Sequence, residues 1–475
     1  MSLSYESPLK GRYASPEMNE VFSSRFKYRN WRKLWVALAE AQKELGLSIT
    51  QDQIDEMKAN IDQINFDEIL TFEKETRHEV MAHILSFGKA APSAKGIIHM
   101  GATSSYVMDN GDLISLKAAL KLIKGKLALL IEKLNHLSLK EKETPCIGYT
   151  HLQVAQATTF GKRVCLYLQD FLTDFKDLLH LLNDFPFLGC KGAIGTQNSF
   201  LSLFDGDHQK VIKLDDLITK KMGFNRSFLI CSQTYPRKQE QRVLSLLSSI
   251  SSSAYKCAGD IRLLSSFGEV EEPFKEKSQV GSSAMPYKRN PIYSERVCGL
   301  SRFVKNIAHN GADNASEQWL ERSLDDSSNR RLCIPEAFLG VDSVLNLLYT
   351  IISGLKVFPK VMEARLNEHL PYISTETILA AAVLKGHDRQ EAHEKIRKKT
   401  FEASLQKKET GKAPEFLQSL LETFDLKKED LSSFLELKNL TGRAKEQTVE
   451  FLKLEVEPIL EEHLDLDTLI PSVEF

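Results

Sequence analysis

From Asp112 onward, apolar residues recur at Leu113, Leu116, Leu120, Ile123, Leu127, Leu130, Leu134 and Leu137. The gaps alternate between three and four, the pattern of a helix carrying one apolar seam. Such a helix must bury that seam against partners of similar length, and the chain supplies them. A second seam runs Phe160, Val164, Leu168, Phe171, Phe175, Leu178, Leu182, and a third Val243, Leu247, Ile250, Ala254, Cys257, Ile261, Leu264. The fourth runs Ile334, Phe338, Val341, Val344 or Leu345, Leu348, Ile352, Leu355. No convincing run of alternating strand residues accompanies them. The expectation is an all-α chain built around a bundle of long helices, with Asp109 or Asn110 capping the first.

At 475 residues the chain exceeds the size at which one core usually suffices. Shorter amphipathic helices are expected before the bundle (about 25–45, 51–60 and 66–87), and short helices with charged connectors after it. The boundaries fall near 103 and 357, giving segments 1–103, 104–357 and 358–475. With 62 Lys and Arg against 64 Asp and Glu, overall charge gives no reason to expect nucleic acid or an anionic membrane. The seven cysteines are scattered and never spaced as CxxC, which fits reduced thiols better than a disulfide frame or a zinc site. No apolar signal segment opens the chain and no run of 18 apolar residues occurs, so the expected setting is the cytoplasm, without membrane contact.

Chemistry is then expected where the helices are interrupted. Five stretches stand out: "GRYASPEM" with Arg12 and Tyr13; "TRHEVMAH" with Arg77 and His78, followed by "HMGATSS"; "YTHLQVAQ" with His151; "GSSAMPYKRNP" at 281–291; and "ERSLDDSSNRR" at 321–331. Most have an unremarkable alternative. An isolated Arg–Tyr or Arg–His is more often a packing pair, His151 could satisfy a cap at the start of a helix, and Thr103 and Ser104 could be N-caps alone. The loop at 281–291 is harder to explain as structure. A glycine, two serines, Lys288, Arg289 and Asn290 within eleven residues supply hydroxyls, backbone donors and two cations, a set suited to an anion whose charge grows during reaction.

That loop resembles the SSxMPxKxN signature of the fumarase/aspartase superfamily. Together, "GSSAMPYKRNP", "TRHEVMAH", "GATS", "YTHLQVAQ" and "LDDSSNRR" resemble the adenylosuccinate lyase family, and the resemblance runs from Arg12 to "LTGRAKEQ" near the C-terminus. It implies a three-domain fumarase/aspartase-like fold whose central bundle assembles into a homotetrameric helical core, with each site shared among three subunits. It also implies β-elimination of fumarate from adenylosuccinate and from succinylated aminoimidazole carboxamide ribotide (SAICAR), with no cofactor and no metal. Ser282 becomes the general base and His151 the general acid, with His78, Lys288 and Glu295 beside them; Glu295 matches the glutamate that holds the acid histidine.

The family's substrate ligands fall, motif by motif, on Arg12, Tyr13, Arg77, His78, Glu79, Thr103, Ser104, Gln233, Lys288, Asn290, Arg296, Arg322, Ser327 and Arg331. Two positions depart from the pattern: Glu79 replaces the usual aspartate, and Val154 a common proline. The rivals are a sister lyase lacking a nucleotide substrate, which would not need the arginines at 322–331, and an inactive structural relative, which should have lost Ser282 or His151. The 25 residues from Leu113 to Leu137 span about 37 Å. His78, Thr103 and His151 are therefore expected to meet only when helices of different subunits run antiparallel.

Overall fold

A computed structural model of the chain describes residues 5–274, 284–412, 415–427, 429 and 436–465. Gly281, Ser282 and Ser283 lie outside the described residues. In chain order the helices are α1 (Pro16–Val21), α2 (Ser24–Glu44), α3 (Gln51–Ala59), α4 (Phe66–Thr76), α5 (Glu79–Ala90) and α6 (Ser104–Lys140). After a hairpin of β1 (Pro145–Thr150) and β2 (Gln153–Thr159) come α7 (Phe160–Asn183), α8 (Asn198–Leu203), α9 (His208–Lys221) and α10 (Lys238–Ser266). A short ribbon pairs β3 (Val270–Glu271) with β4 (Lys356–Val357), and between them lie α11 (Ile292–Ile307), α12 (Asn310–Ser316) and α13 (Asp326–Gly354). Beyond them are α14 (Pro359–Ile373), α15 (Thr375–Leu384), α16 (Arg389–Thr410) and α17 (Leu417–Thr423).

The four seams become α6, α7, α10 and α13. Leu113, Leu120, Ile123, Leu127, Leu130 and Leu134 are wholly buried, each contributing about 1.5–3 kcal/mol of transfer free energy. α6 packs on α7 and α13, while α10 packs on α7, α11 and α13. By length and composition α13 could cross a membrane, but 83% of its most apolar window is buried inside the fold, so its apolarity belongs to the bundle core. One hydrophobic cluster runs from Leu9 through the bundle to Val456. A separate one, including Ile378, Ile396 and Phe424, lies within the C-terminal segment. The boundaries at 103 and 357 fall just before α6 and at the end of β4; we propose them as segment limits, since the second cluster begins beyond them.

Three expectations need correction. α6 starts at Ser104, not near Asp109, and Thr103 occupies its N-cap without a side-chain cap bond. Asp109 and Asn110 are buried within the helix, where Asn110 donates to the Gly189 carbonyl (3.0 Å). A polar residue on a seam helix looks like a cap when its buried partners lie far away in sequence. Second, the helix expected over 66–87 is two helices, broken at Arg77 in the left-handed region (φ 51°). Third, His151 lies in a hairpin turn rather than at the start of a helix. His151 and Leu152 (φ 54° and 56°) form the two-residue turn between β1 and β2, the geometry that usually recruits Asn-Gly. Without that dipeptide the turn gave no signal.

Two histidines, buried His83 and half-buried His99, lie near the bundle end formed by α2 and α5. Burial pushes the His83 imidazole down to about 4, outweighing the attraction of Glu79, and burial with nearby His78 pushes His99 to about 4. His83 stacks on Tyr28 with centroids 3.8 Å apart, and Trp35 Nε1 donates to His99 Nδ1 (2.9 Å). Between the unfolded value near 6.5 and the folded value near 4, the unfolded chain binds more protons, so these groups cost stability as pH falls through that window. By pH 4 the loss is about 3 kcal/mol per group. His83→Phe, which keeps the stack, should flatten the fall in stability between pH 6.5 and 4 in chemical denaturation; an unchanged pH profile would count against this assignment.

Candidate active site

The site is built where α5 begins, beside the starts of α6 and α13. Arg77 closes α4 in the left-handed conformation, its N–H donating to the Glu73 carbonyl (2.7 Å). The chain then turns so that His78 becomes the N-cap of α5, with Met81 N–H donating to His78 Nδ1 (3.2 Å). A nitrogen that accepts carries no proton, so the neutral ring holds its hydrogen on Nε2. That atom lies 3.4 Å from Ser104 Oγ. The break in the helix and the capping role of His78 thus present one N–H to the start of α6.

Glu79, in the next position, is half-buried and faces three donors. Lys27 Nζ (2.7 Å) and Tyr28 OH (3.0 Å) donate to Oε1, and Arg331 Nη2 (2.9 Å) donates to Oε2. Burial raises its pKa, but Lys27 and Arg331 outweigh burial and hold the carboxyl below the usual range. Beside this group is a cavity of about 200 Å³ that Lys27, Ser327 and Arg331 help to line.

A buried ionic lattice supports that end. Arg237 donates from Nε to Asp326 (2.7 Å) and from Nη1 to Asp109 (3.0 Å), and the side chains of Arg237 and Asp326 are wholly buried. Arg330 donates to Glu240 (2.6 Å), Asp112 (2.7 Å) and Tyr235 OH (2.9 Å). Burial opposes the charge on Arg237, but Asp109 over-compensates and its pKa stays above the ordinary arginine value. Arg322 donates to Asp326 (2.8 Å), and Gln233 joins the same end through its N–H to the Glu321 carbonyl (3.3 Å). Arg330 and Arg331 are neighbours with opposite environments: the first is buried in the lattice, the second exposed beside the cavity.

Arg12 and Tyr13 lie on a strap docked along α13. Ser7 Oγ donates to Glu336 (3.1 Å), Ser15 N–H to Asp342 Oδ2 (2.7 Å), and Ser15 Oγ to Asp342 Oδ1 (3.2 Å). Asp342 also accepts from buried Lys126, whose ammonium reaches Asn346 as well (2.9 Å). The strap's anchors lie five and eleven residues beyond Arg331, about 8 and 17 Å along the helix.

One chain does not bring the remaining candidates there. The hairpin is rooted at the far end of α6, where Gly161 N–H donates to the Glu141 carbonyl. A Cβ on Gly161 would lie 2.4 Å from the Ser138 carbonyl oxygen, so only glycine allows this close approach. Ile147 and Ala157 pack on Leu366 and Ile373 of α14, while Arg365 holds Tyr149 OH (3.2 Å), leaving His151 exposed at the tip. The 36 steps from Ser104 to Lys140 cover about 54 Å, and a six-residue strand folding straight back regains only about 20 Å. His78 and His151 of one chain therefore remain on the order of 30 Å apart.

The loop candidates form a third group. Lys288 and Asn290 line a separate cavity beside Glu272 and Phe274, with the Arg289 guanidinium 3.9 Å from the Phe274 ring centre. Glu272 caps α11 by accepting from Tyr293 N–H (2.9 Å) and Ser294 N–H (2.7 Å), and burial raises its carboxyl pKa. Glu295 is exposed in the first turn of α11, and Arg296 lies over the Tyr293 ring at 5.9 Å.

The comparisons with known proteins bear on the whole chain. The lyase family model matches residues 11–305, and the model of the adenylosuccinate lyase C-terminus matches residues 371–451. The chain is 48% identical to adenylosuccinate lyase of Schistosoma mansoni over 97% of each chain, and 46% identical to that of Schizosaccharomyces pombe over 96% of each. It belongs to the adenylosuccinate lyase family.

Solved structures agree on the fold. A 3-carboxy-cis,cis-muconate lactonizing enzyme from Pseudomonas putida superposes with TM-score 0.80 at 22% identity, covering 96% of this chain and 98% of its own. A fumarate lyase from a Mesorhizobium species gives TM-score 0.80 at 23% identity, covering 95% and 100%. The all-α, fumarase-like architecture is thus shared well beyond the adenylosuccinate lyases. Sequence reasoning missed Lys27, Tyr28, Arg237 and Arg330. A lysine among helical aromatics, or an arginine beside a candidate arginine, carries no sequence signal that separates it from ordinary surface.

Proposed function

We propose that this chain catalyses β-elimination of fumarate from adenylosuccinate, giving AMP, and from SAICAR, giving the corresponding carboxamide ribotide. Family membership over nearly the full length carries this reading. Ser282 removes the proton on the carbon next to one carboxylate, and the electron pair builds an aci-carboxylate. That pair then forms the fumarate double bond as the C–N bond breaks, and His151 protonates the departing nitrogen. Serine is a weak base unless its developing charge is stabilised, and Lys288 with neighbouring backbone donors supplies that stabilisation. Glu295 holds His151 in its working state. The substrate is held by Arg12, Tyr13, Arg77, His78, Glu79, Thr103, Ser104, Gln233, Asn290, Arg296, Arg322, Ser327 and Arg331, its carboxylates and phosphate falling to the cations and neutral donors among them, with arginine suited to both anions by its planar fork. All seven cysteines are free, which supports work in the reducing cytoplasm.

The working form in this reading is a homotetramer in which the start of α6, where Ser104 lies beside His78, meets another subunit's hairpin. The separation of about 30 Å along one chain supports it. Release of fumarate from adenylosuccinate, followed by ultraviolet absorbance, tests the activity; a correctly folded chain that leaves adenylosuccinate intact would refute it. Sharing is tested with two inactive variants, His78→Ala and His151→Ala, dissociated together and reassembled. Random mixing should leave about a quarter of the sites with both native residues. If hybrids verified by mass regain no activity, each site is complete within one chain.

A further inference from the structure

The cavity beside Glu79 has a polar wall of Lys27, Asp112, Ser115, Ser327, Arg330 and Arg331. Three of these are cations, and their charges are not equally committed. Arg330 is engaged by Glu240 and Asp112 at 2.6 and 2.7 Å. Lys27 and Arg331 share one carboxylate, Glu79, at 2.7 and 2.9 Å. The Lys27 ammonium also sits over the Trp31 ring (4.9 Å) and the Tyr28 ring (5.1 Å), which fixes its direction without neutralising it. The arrangement is two cations converging on one point from α2 and α13, with a carboxylate between them.

We propose that Lys27 is a phosphate-binding cation of this site, that it grips the substrate's phosphate monoester together with Arg331, and that Glu79 is the counter-ion they exchange for it. The inference rests on the activity given above, which supplies a substrate with a phosphate monoester. The chemistry fits the exchange. A phosphate dianion offers three acceptor oxygens where a carboxylate offers two, so it can take the ammonium, the guanidinium and the Ser327 hydroxyl together. Tyr28 OH, 3.0 Å from Glu79 Oε1, can keep a hydrogen bond to the released carboxylate. Lys27 is half-buried on a helix surface, with a side-chain exposure of 32%, so an incoming anion can reach its ammonium.

The test measures dissociation constants of inorganic phosphate, AMP and fumarate on the assembled enzyme. Lys27→Met should weaken inorganic phosphate and AMP about tenfold, as for loss of one charge-assisted hydrogen bond, and leave fumarate within about twofold. Glu79→Gln should tighten inorganic phosphate, because the competing charge is gone. Lys27→Met made in the Glu79→Gln background separates direct binding from action through Glu79. A further tenfold loss of phosphate affinity supports direct contact, and no further loss overturns it. Equal weakening of fumarate and phosphate by Lys27→Met would also overturn it. Lys27→Gln is measured in parallel; if neither variant folds, Lys27 is a structural residue and the inference fails. If the unaltered enzyme binds phosphate in a Lys27-dependent way but does not cleave adenylosuccinate, the activity reading falls alone. Cleavage with phosphate binding indifferent to Lys27 sinks only this inference.

Discussion

His151→Gln should leave the fold and its melting temperature intact while lowering kcat by about 10²–10⁴-fold, the range for loss of a positioned general acid. The imidazole stands at the exposed tip of the β1–β2 hairpin, so the hydrophobic core loses nothing when it is replaced. In the mechanism proposed above, what changes is the group that protonates the departing nitrogen. Glutamine keeps the approximate size and polarity but cannot deliver a proton near neutral pH. A leaving group that needs no protonation should restore much of the rate in the variant. A fall of less than tenfold on the natural substrate would move the acid elsewhere.

The second large effect falls on stability. Arg237→Met should destabilise the fold by about 3–5 kcal/mol, as expected when one partner of a buried ion pair is removed and the other stays behind. In the bundle interior Asp109 would lose its charged donor at 3.0 Å and Asp326 one of its donors, at 2.7 Å, keeping Arg322. The midpoint of denaturant unfolding of the assembled protein measures the loss. Asp326→Asn in the Arg237→Met background should recover part of it by removing one stranded charge. If Arg237→Met unfolds within 1 kcal/mol of the parent, the lattice is solvated in solution and its supporting role for the 322–331 segment is wrong.

The long helices were legible because burial along one face imposes a three-four rhythm that survives any detail of packing. Leu113 to Leu137 announced α6 in this way. The cationic end was legible only as a set of short motifs. Arg331 and Ser327 lie together at the cavity, and His78 lies within 3.4 Å of Ser104. Nothing local distinguished Arg330, whose partners Asp112 and Glu240 are 218 and 90 residues away in sequence. The hairpin escaped for the opposite reason. Its pattern is local, but its turn uses His-Leu instead of a dipeptide that favours positive φ. Burial of Ile147 and Ala157 against α14, a contact made far along the chain, determines it.

That turn also shows where the chain holds conformational free energy. Outside glycine, a positive φ costs on the order of 1 kcal/mol per residue. Eight such residues occur among the described ones, and five of them, Arg77, His99, His151, Leu152 and Leu320, sit in or next to the segments singled out for chemistry. A sequence selected for thermal endurance alone would put Asn-Gly at 151–152 and glycine at 77, relaxing the backbone and discarding the imidazole and the guanidinium. Positive φ outside glycine thus coincides with the segments that their side chains had already singled out. Wherever a stabilised relative is sought by relieving torsional strain, these five positions are the ones to leave untouched.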